Sequence, residues 1–318
     1  MIGLLHSVSF RAMGTTCGLS VTALPGDAIR ARGALGAGQV EVQACERALS
    51  RFDPASDLSR MNRHAGEWVG VDARLADALR VAVLARTATG GRFDPTILPA
   101  LLAAGYDRTF EELEKRPPRP HADWRAGAEI EIAPDAFVRV EQGAMVDLGG
   151  IGKGFAASRA LLAMREAWGA LPGALVDLGG DIAVWGKPPE RGPWRIAVAD
   201  PGCPDVTLGV LDLEDAAVAT SGRSARRFGP GRALHHLIDP RTGAPAVAGP
   251  LSVTVVARDA AWAEAHATAL AISELDETRA HVAGHPGLSA LLVSDDGPLE
   301  QIGPPPFEPA RVFAEAAR

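Results

Sequence analysis

Cysteine is scarce. Cys17, Cys45 and Cys203 are the only three in 318 residues, and they lie far apart with no Cys-x-x-Cys pair. Neither a disulfide framework nor a structural zinc site is therefore indicated. A basic excess is also missing. The formal charge of -7 argues against a general nucleic-acid binder, because proteins that track phosphate concentrate positive charge. No uninterrupted apolar stretch approaches a membrane span. The opening "MIGLLHSVSFRAMGTT" has no charged region followed by a long apolar run, no small-residue cleavage site and no lipobox-like cysteine. A cytoplasmic location is the expectation.

What remains is ordinary for a soluble, enzyme-sized protein: 47% hydrophobic and 22% charged residues. The length suits one large domain or two small ones. The basic, proline-rich "KRPPRPHADW" at 115–124 reads as a surface excursion, with related features on both flanks, so residues 1–318 are expected to form a single domain.

The start, "VSFRAMGTTCGLSVTA", predicts two strands joined by a Met-Gly-Thr bend. Helices are expected over 27–50, after a cap at Ser56 or Asp57, over about 73–89 up to Gly90-Gly91, and briefly after "RFDPT". From residue 129 the reading is strand-rich: "EIEIA", "FVRVE", "AMVDL", "GALVDLGGDIAVWG", "WRIAVAD", "LGVLDLEDAAVATSG", "LSVTVVA" and "LSALLVSDD". The turns between many of them are too short for parallel crossovers, which predicts a largely antiparallel sheet. Helices interrupt it at about 154–168, with Leu161, Met164 and Trp168 on one stripe, and at about 259–272. Asp259 caps the second, whose Trp262, Ala265, Ala269 and Ile272 face inward. The fold class is α+β, a largely antiparallel sheet with interspersed helices.

Three stretches carry candidate chemistry. "VDLGGIGKGFAAS" at 146–158 combines glycines, one lysine and a helix start, an arrangement suited to a pyrophosphate. It is no Walker loop, because Asp147 stands where the first glycine belongs and Gly154, not Ser or Thr, follows Lys153. Its mid-chain place and glycine spacing also fail the Rossmann fingerprint. A tight strand-to-helix turn with a solvated lysine fits it equally well. In "DAAWAEAHATALAI", Glu264 and Thr268 are four apart and share a helix face, offering hard oxygens to magnesium. An exposed Glu and a Thr bonded to its own helix is the alternative. "LHHLIDPRTGAP" at 234–245 holds His235, His236 and Asp239 but lacks the spacing of a transition-metal site. Ser221, in "ATSGR", lacks a hydrolase elbow.

Taken in order, "RAMGTT", "DPASDLSRMN", "GRFDPTILP", "VDLGGIGKGFAAS", "DLGGDI", "ATSGR", "HHLIDPRTGAP", "SVTVVA" and "AEAHATALAI" resemble the ApbE family of FAD:protein FMN transferases, from about residue 8 to 295. The resemblance implies that the phosphate is the FAD pyrophosphate. It places Met13, Phe52, Arg92, Phe93, Asp94, Asp147, Lys153 and Ile238 at the flavin dinucleotide. It implies magnesium held by the Gly150 carbonyl, Glu264, the Ala267 backbone and the Thr268 hydroxyl. The implied reaction is magnesium-dependent transfer of FMN from FAD to a Thr or Ser hydroxyl of an acceptor flavoprotein, through a phosphoester and with release of AMP.

His236 and Asp239 are the candidates for assisting proton removal from that hydroxyl. Water in place of the acceptor would give a magnesium-dependent FAD pyrophosphatase. Loss of catalysis would leave an FAD-binding protein. Two positions depart from the family's usual pattern. Glu264 stands where Asp is usual, moving the carboxylate by one methylene, and Phe52 lacks the hydroxyl of the tyrosine often found there.

Overall fold

The computed structural model describes residues 3–107, 125–190, 192–223, 227–228, 234–295, 299–304 and 307–309. The excursion at 115–124 and most of the C-terminal tail lie outside the described residues.

An eight-stranded sheet orders the molecule, and its strands follow one another across the sheet in chain order. They are Leu4–Ala12, Thr15–Ala23, Gly173–Leu178, Ile182–Gly186, Ala217–Gly222, Ser252–Ala257, Ser289–Val293 and Glu300–Ile302. Every neighbouring pair is antiparallel. The first hairpin turns at Met13 and Gly14, both with positive φ (51° and 69°), the backbone a two-residue turn needs to follow strand twist. For Met13 this conformation costs roughly 1–3 kcal/mol.

Among the described residues, five helices are inserted between the second and third strands: α1 (Ala28–Leu49), α2 (Asp57–Arg63), α3 (Ala73–Ala88), α4 (Leu98–Ala103) and α5 (Gly152–Trp168). Two more, α6 (Ala260–Leu270) and α7 (Leu275–Ala283), fall between the sixth and seventh. Alternate strand residues serve two cores. Leu19, Val21, Val176 and Leu178 pack with α1, α3 and α5 on one face. Ile182, Val184 and Val218 meet Trp194, Leu211 and Leu213 on the other. The latter three belong to a small sheet of Trp194–Ala199, Thr207–Leu213 and Phe307–Pro309.

Helix α6 is alanine-rich and buried on nearly every side, which permits unusually close neighbours. Asp259 caps it by accepting from Trp262 N. Trp262 itself is half-buried. At Gly154 a Cβ would come within 2.1 Å of the Ala260 carbonyl oxygen, so only glycine lets α5 approach α6 this closely. Ser56, not Asp57, caps α2.

Two local expectations change. "AMVDL" is not a strand: Val146 pairs both backbone groups with the Asn62 side chain, and Asp147 N donates to the Pro95 carbonyl. A helix side chain and a loop carbonyl replace the ladder bonds a strand would have required. Helix α5 begins at Gly152, two residues before the expected start.

Candidate active site

The hairpin turns at Met13 and at Gly179–Asp181 lie at the same end of the sheet, since Cys17 pairs with Leu178. The tip of Ala217–Gly222, the start of α5 and one face of α6 meet there around a cavity of about 700 Å³. That volume is within the usual range for cofactor-sized ligands. Met13, Phe52, Arg92, Phe93, Asp94 and Asp147 line it, as do Gly150, Lys153, His236, Ile238, Glu264 and Thr268. Residues as far apart in sequence as Met13 and Thr268 thus share one wall.

The charged end of the cavity centres on Lys153. Its ammonium lies between Asp181 and Glu264, with Nζ 2.7 Å from Glu264 Oε1 and in direct contact with Asp181. Both carboxylates are buried. Burial alone would favour a neutral lysine, but the two negative charges outweigh it and hold the Lys153 ammonium well above its ordinary range. Glu264 is pushed upward by burial and by the Asp181 charge, against the opposing pull of Lys153.

Glu264 Oε2 also accepts from Gly154 N at 2.7 Å. The N-terminal turn of α5, expected to offer free N–H groups to an anion, is therefore already partly occupied by a carboxylate of α6. One helix turn further along α6, Thr268 Oγ1 lies 3.4 Å from the Gly150 carbonyl oxygen and 3.4 Å from Ser221 Oγ. Glu264, Asp181, Thr268 and Gly150 thus supply hard oxygens around a buried group with two negative charges and one positive.

Magnesium fits that donor set. It takes oxygen ligands, uses few carboxylates and completes its shell with water and substrate phosphates. Among the described residues no three His, Cys, Asp or Glu side chains converge as a metal cage.

Other cavity residues are held mainly by the protein. Asp94 Oδ1 accepts from the backbone and hydroxyl of Thr96 and Oδ2 from Gly127 N, so this carboxylate shapes the loop. Asp147 Oδ1 accepts from Gly149 N, while Oδ2 pairs with Arg51 Nε at 2.7 Å. Arg92 NH2 reaches Glu277 of α7 at 2.9 Å.

Two expected site residues are not brought to the cavity wall. Asp239 is enclosed by the guanidinium and backbone N–H of Arg241, which pulls its carboxylate into an ion pair of its own. The Ala267 carbonyl accepts from Ala271 N inside α6, and the residue is fully buried in the apolar core. Conversely, Arg51, Tyr106, Asp181 and Ser221 line the cavity without having been assigned to it from sequence. Asp181 stands in the quoted "DLGGDI", directly after a glycine pair, so its turn position was legible. Arg51 offered only its place beside Phe52.

Fold and site together define a class: an α+β protein with a dinucleotide-sized cavity that combines a lysine, carboxylate and hydroxyl oxygens and a glycine turn. Comparison with known proteins makes the class specific. The chain belongs to the ApbE family, whose family model matches residues 13–292. It is 32% identical over 275 residues to an FAD:protein FMN transferase of Treponema pallidum, covering 80% of this chain and 75% of the relative. A Salmonella typhimurium FAD:protein FMN transferase is 26% identical over 298 residues, covering 90% and 83%. The crystal structure of the ApbE protein from Thermotoga maritima superposes with a TM-score of 0.82 at 29% identity, covering 94% of this chain and 97% of that one.

Proposed function

We propose that this chain is an enzyme that moves FMN from FAD to a Thr or Ser hydroxyl of an acceptor flavoprotein, forming a phosphoester and releasing AMP. The observation that carries this reading is the buried Lys153–Asp181–Glu264 group on the wall of a cavity large enough for a dinucleotide. Family membership and the names of its relatives support the flavin as cargo. A sheet drawing strands from Leu4 to Ile302 supports one domain as the functional unit.

In this reading the Gly150 carbonyl, Glu264 and Thr268 hold magnesium, with Asp181 alongside. When bound, the ion supplies charge neutralisation to the pyrophosphate. The protein's own part is positional. Lys153, fixed by two carboxylates, presents a permanent positive charge where negative charge builds on the phosphoryl oxygens. The glycine turn at 149–152 lets the backbone approach the phosphates. His236 lines the same cavity, and in this reading it takes the proton of the attacking hydroxyl, while Asp239 is paired with Arg241.

The test is incubation of the purified protein with FAD, magnesium and candidate acceptor proteins, beside a chelator control, following AMP and acceptor mass. A mass gain of one FMN phosphoester that the chelator abolishes is expected. AMP without labelling would redirect the reading to pyrophosphate hydrolysis. Tight FAD binding with no AMP under any condition would reduce it to flavin binding.

A further inference from the structure

On an apolar stretch of the cavity wall, Arg51 is almost completely buried, its side chain 7% exposed, yet it lines the cavity. Three contacts fix it. Nε pairs with Asp147 at 2.7 Å, and the guanidinium carbon stands 4.1 Å from the Phe52 ring centre and 4.7 Å from that of Tyr106. The two rings meet edge to face at 6.3 Å. The remaining NH2 is buried without a hydrogen-bond partner. Buried guanidinium donors rarely stay unmet, so this one calls for an acceptor supplied from the cavity.

The neighbours restrict what that acceptor is. Asp147 already compensates the guanidinium charge, so the pair as a whole does not demand a further anion. Leu49, Ile97 and Leu101 make this stretch apolar, and Phe52 is 42% exposed, an uncovered aromatic face. A flat heteroaromatic group with a neutral oxygen acceptor on its edge satisfies all of these conditions. FAD has two flat groups. Adenine's ring nitrogens also accept, but N1 and N7 lie beside an amine that would meet the guanidinium donor to donor, whereas the pyrimidine edge of the isoalloxazine carries two carbonyl oxygens.

We propose that Arg51 recognises the flavin ring of FAD, donating through NH2 to a carbonyl oxygen on its pyrimidine edge while the ring lies against Phe52. This rests on FAD being the substrate, and it assigns the isoalloxazine to the aromatic stretch of the cavity wall. The pyrophosphate then falls toward Lys153. Because Asp147 holds Nε, the planar guanidinium fork has a fixed direction, which an ammonium at this position would lack.

The experiment titrates the wild type, Arg51→Met and Arg51→Lys with FAD, with riboflavin, which has no phosphate, and with ADP, which has no flavin. Near-ultraviolet circular dichroism checks that each variant is folded, and Arg51→Lys retains a charge opposite Asp147. Both variants are expected to lose about tenfold in affinity for FAD and for riboflavin, the scale of one good hydrogen bond. ADP affinity should hold, and the visible absorption band of bound flavin should move toward that of free flavin. Riboflavin binding unchanged in both variants, or a loss confined to ADP, overturns the assignment. A wild type that binds neither FAD nor riboflavin removes the functional reading and this assignment with it. Wild-type binding that survives both substitutions removes this assignment alone.

Discussion

Helix α6 separates two buried clusters of ionisable side chains that burial treats in opposite ways. On its cavity side, Glu264 joins Lys153 and Asp181. Two residues along, His266 points away from them and meets His281 of α7 with 2.8 Å between ring nitrogens; His285 stacks on His281 with ring centres 4.2 Å apart. In the first cluster opposite charges lie in contact, and the lysine stays charged despite losing its water. In the second, no carboxylate among the described residues pairs with any of the three imidazoles. Burial and mutual repulsion push His266 down to about 3, and burial, His285 and the Arg92 guanidinium push His281 down to about 4. Desolvation acts in both places, and the presence of a counter-charge decides whether the group keeps its proton. The first arrangement keeps a charge on the cavity wall; in the second, His266 and His281 pack as neutral rings.

Removing the counter-charge from the first cluster should produce the largest effect. Lys153→Met leaves Asp181 and Glu264 buried together without a cation. Urea denaturation should show a loss of about 3–5 kcal/mol, typical of a buried pair with one partner deleted. AMP release should fall by about 10²-fold or more, as when a fixed electrostatic contact to the reacting group is removed. Glu264→Gln sharpens the contrast, because Lys153 keeps Asp181 while one negative charge disappears. Its stability should change by no more than about 3 kcal/mol, and its dependence on added magnesium, read from AMP release over a metal titration, should weaken strongly.

The two clusters were unequally legible in the sequence. The helix register placed Glu264 and Thr268 on one face, and the structure puts both on the cavity wall. Lys153 was legible from its glycines, but its partner Asp181 was not assigned, because a lysine between two carboxylates from distant segments has no sequence period. The histidines of α6 and α7 were passed over for the same reason: His266 sits in an alanine-rich helix and meets residues 15 and 19 positions later. The antiparallel sheet was readable because strand alternation is local. "AMVDL" misled because its backbone groups are met by the Asn62 side chain of α2 and by the Pro95 carbonyl of a loop, neither of which leaves a local signal. Asp239, prominent in a polar loop, is drawn off the cavity by Arg241 two residues on, an ion pair that polar density alone does not reveal.

Acid should break the second cluster before neutral packing fails elsewhere. The folded His266 and His281 bind protons more weakly than in the unfolded chain, whose histidines titrate near ~6.5. The contribution of these groups is therefore complete above about pH 6.5, and it is lost as pH falls toward the folded values of about 4 and about 3. Thermal melts between pH 7 and 4 should show a falling Tm, and His281→Gln should flatten that slope in part.

The smallest change tests whether the cavity side of α6 uses a hydroxyl or only a shape. Thr268 Oγ1 faces the Gly150 carbonyl and Ser221, while its methyl packs toward the glycine turn, where a Cβ built on Gly150 would lie 3.2 Å from it. Thr268→Ser keeps the oxygen and drops the methyl, so AMP release is expected to stay within about threefold of wild type, with a stability loss near 1 kcal/mol for the missing methyl. The valine variant, which keeps the shape and loses the oxygen, supplies the opposite control. If serine substitutes for threonine and valine does not, the hydroxyl is part of the oxygen set beside Glu264. If valine is tolerated and serine is not, Thr268 is packing, and the cavity face of α6 is more like its histidine face than the charges of Lys153, Asp181 and Glu264 suggest.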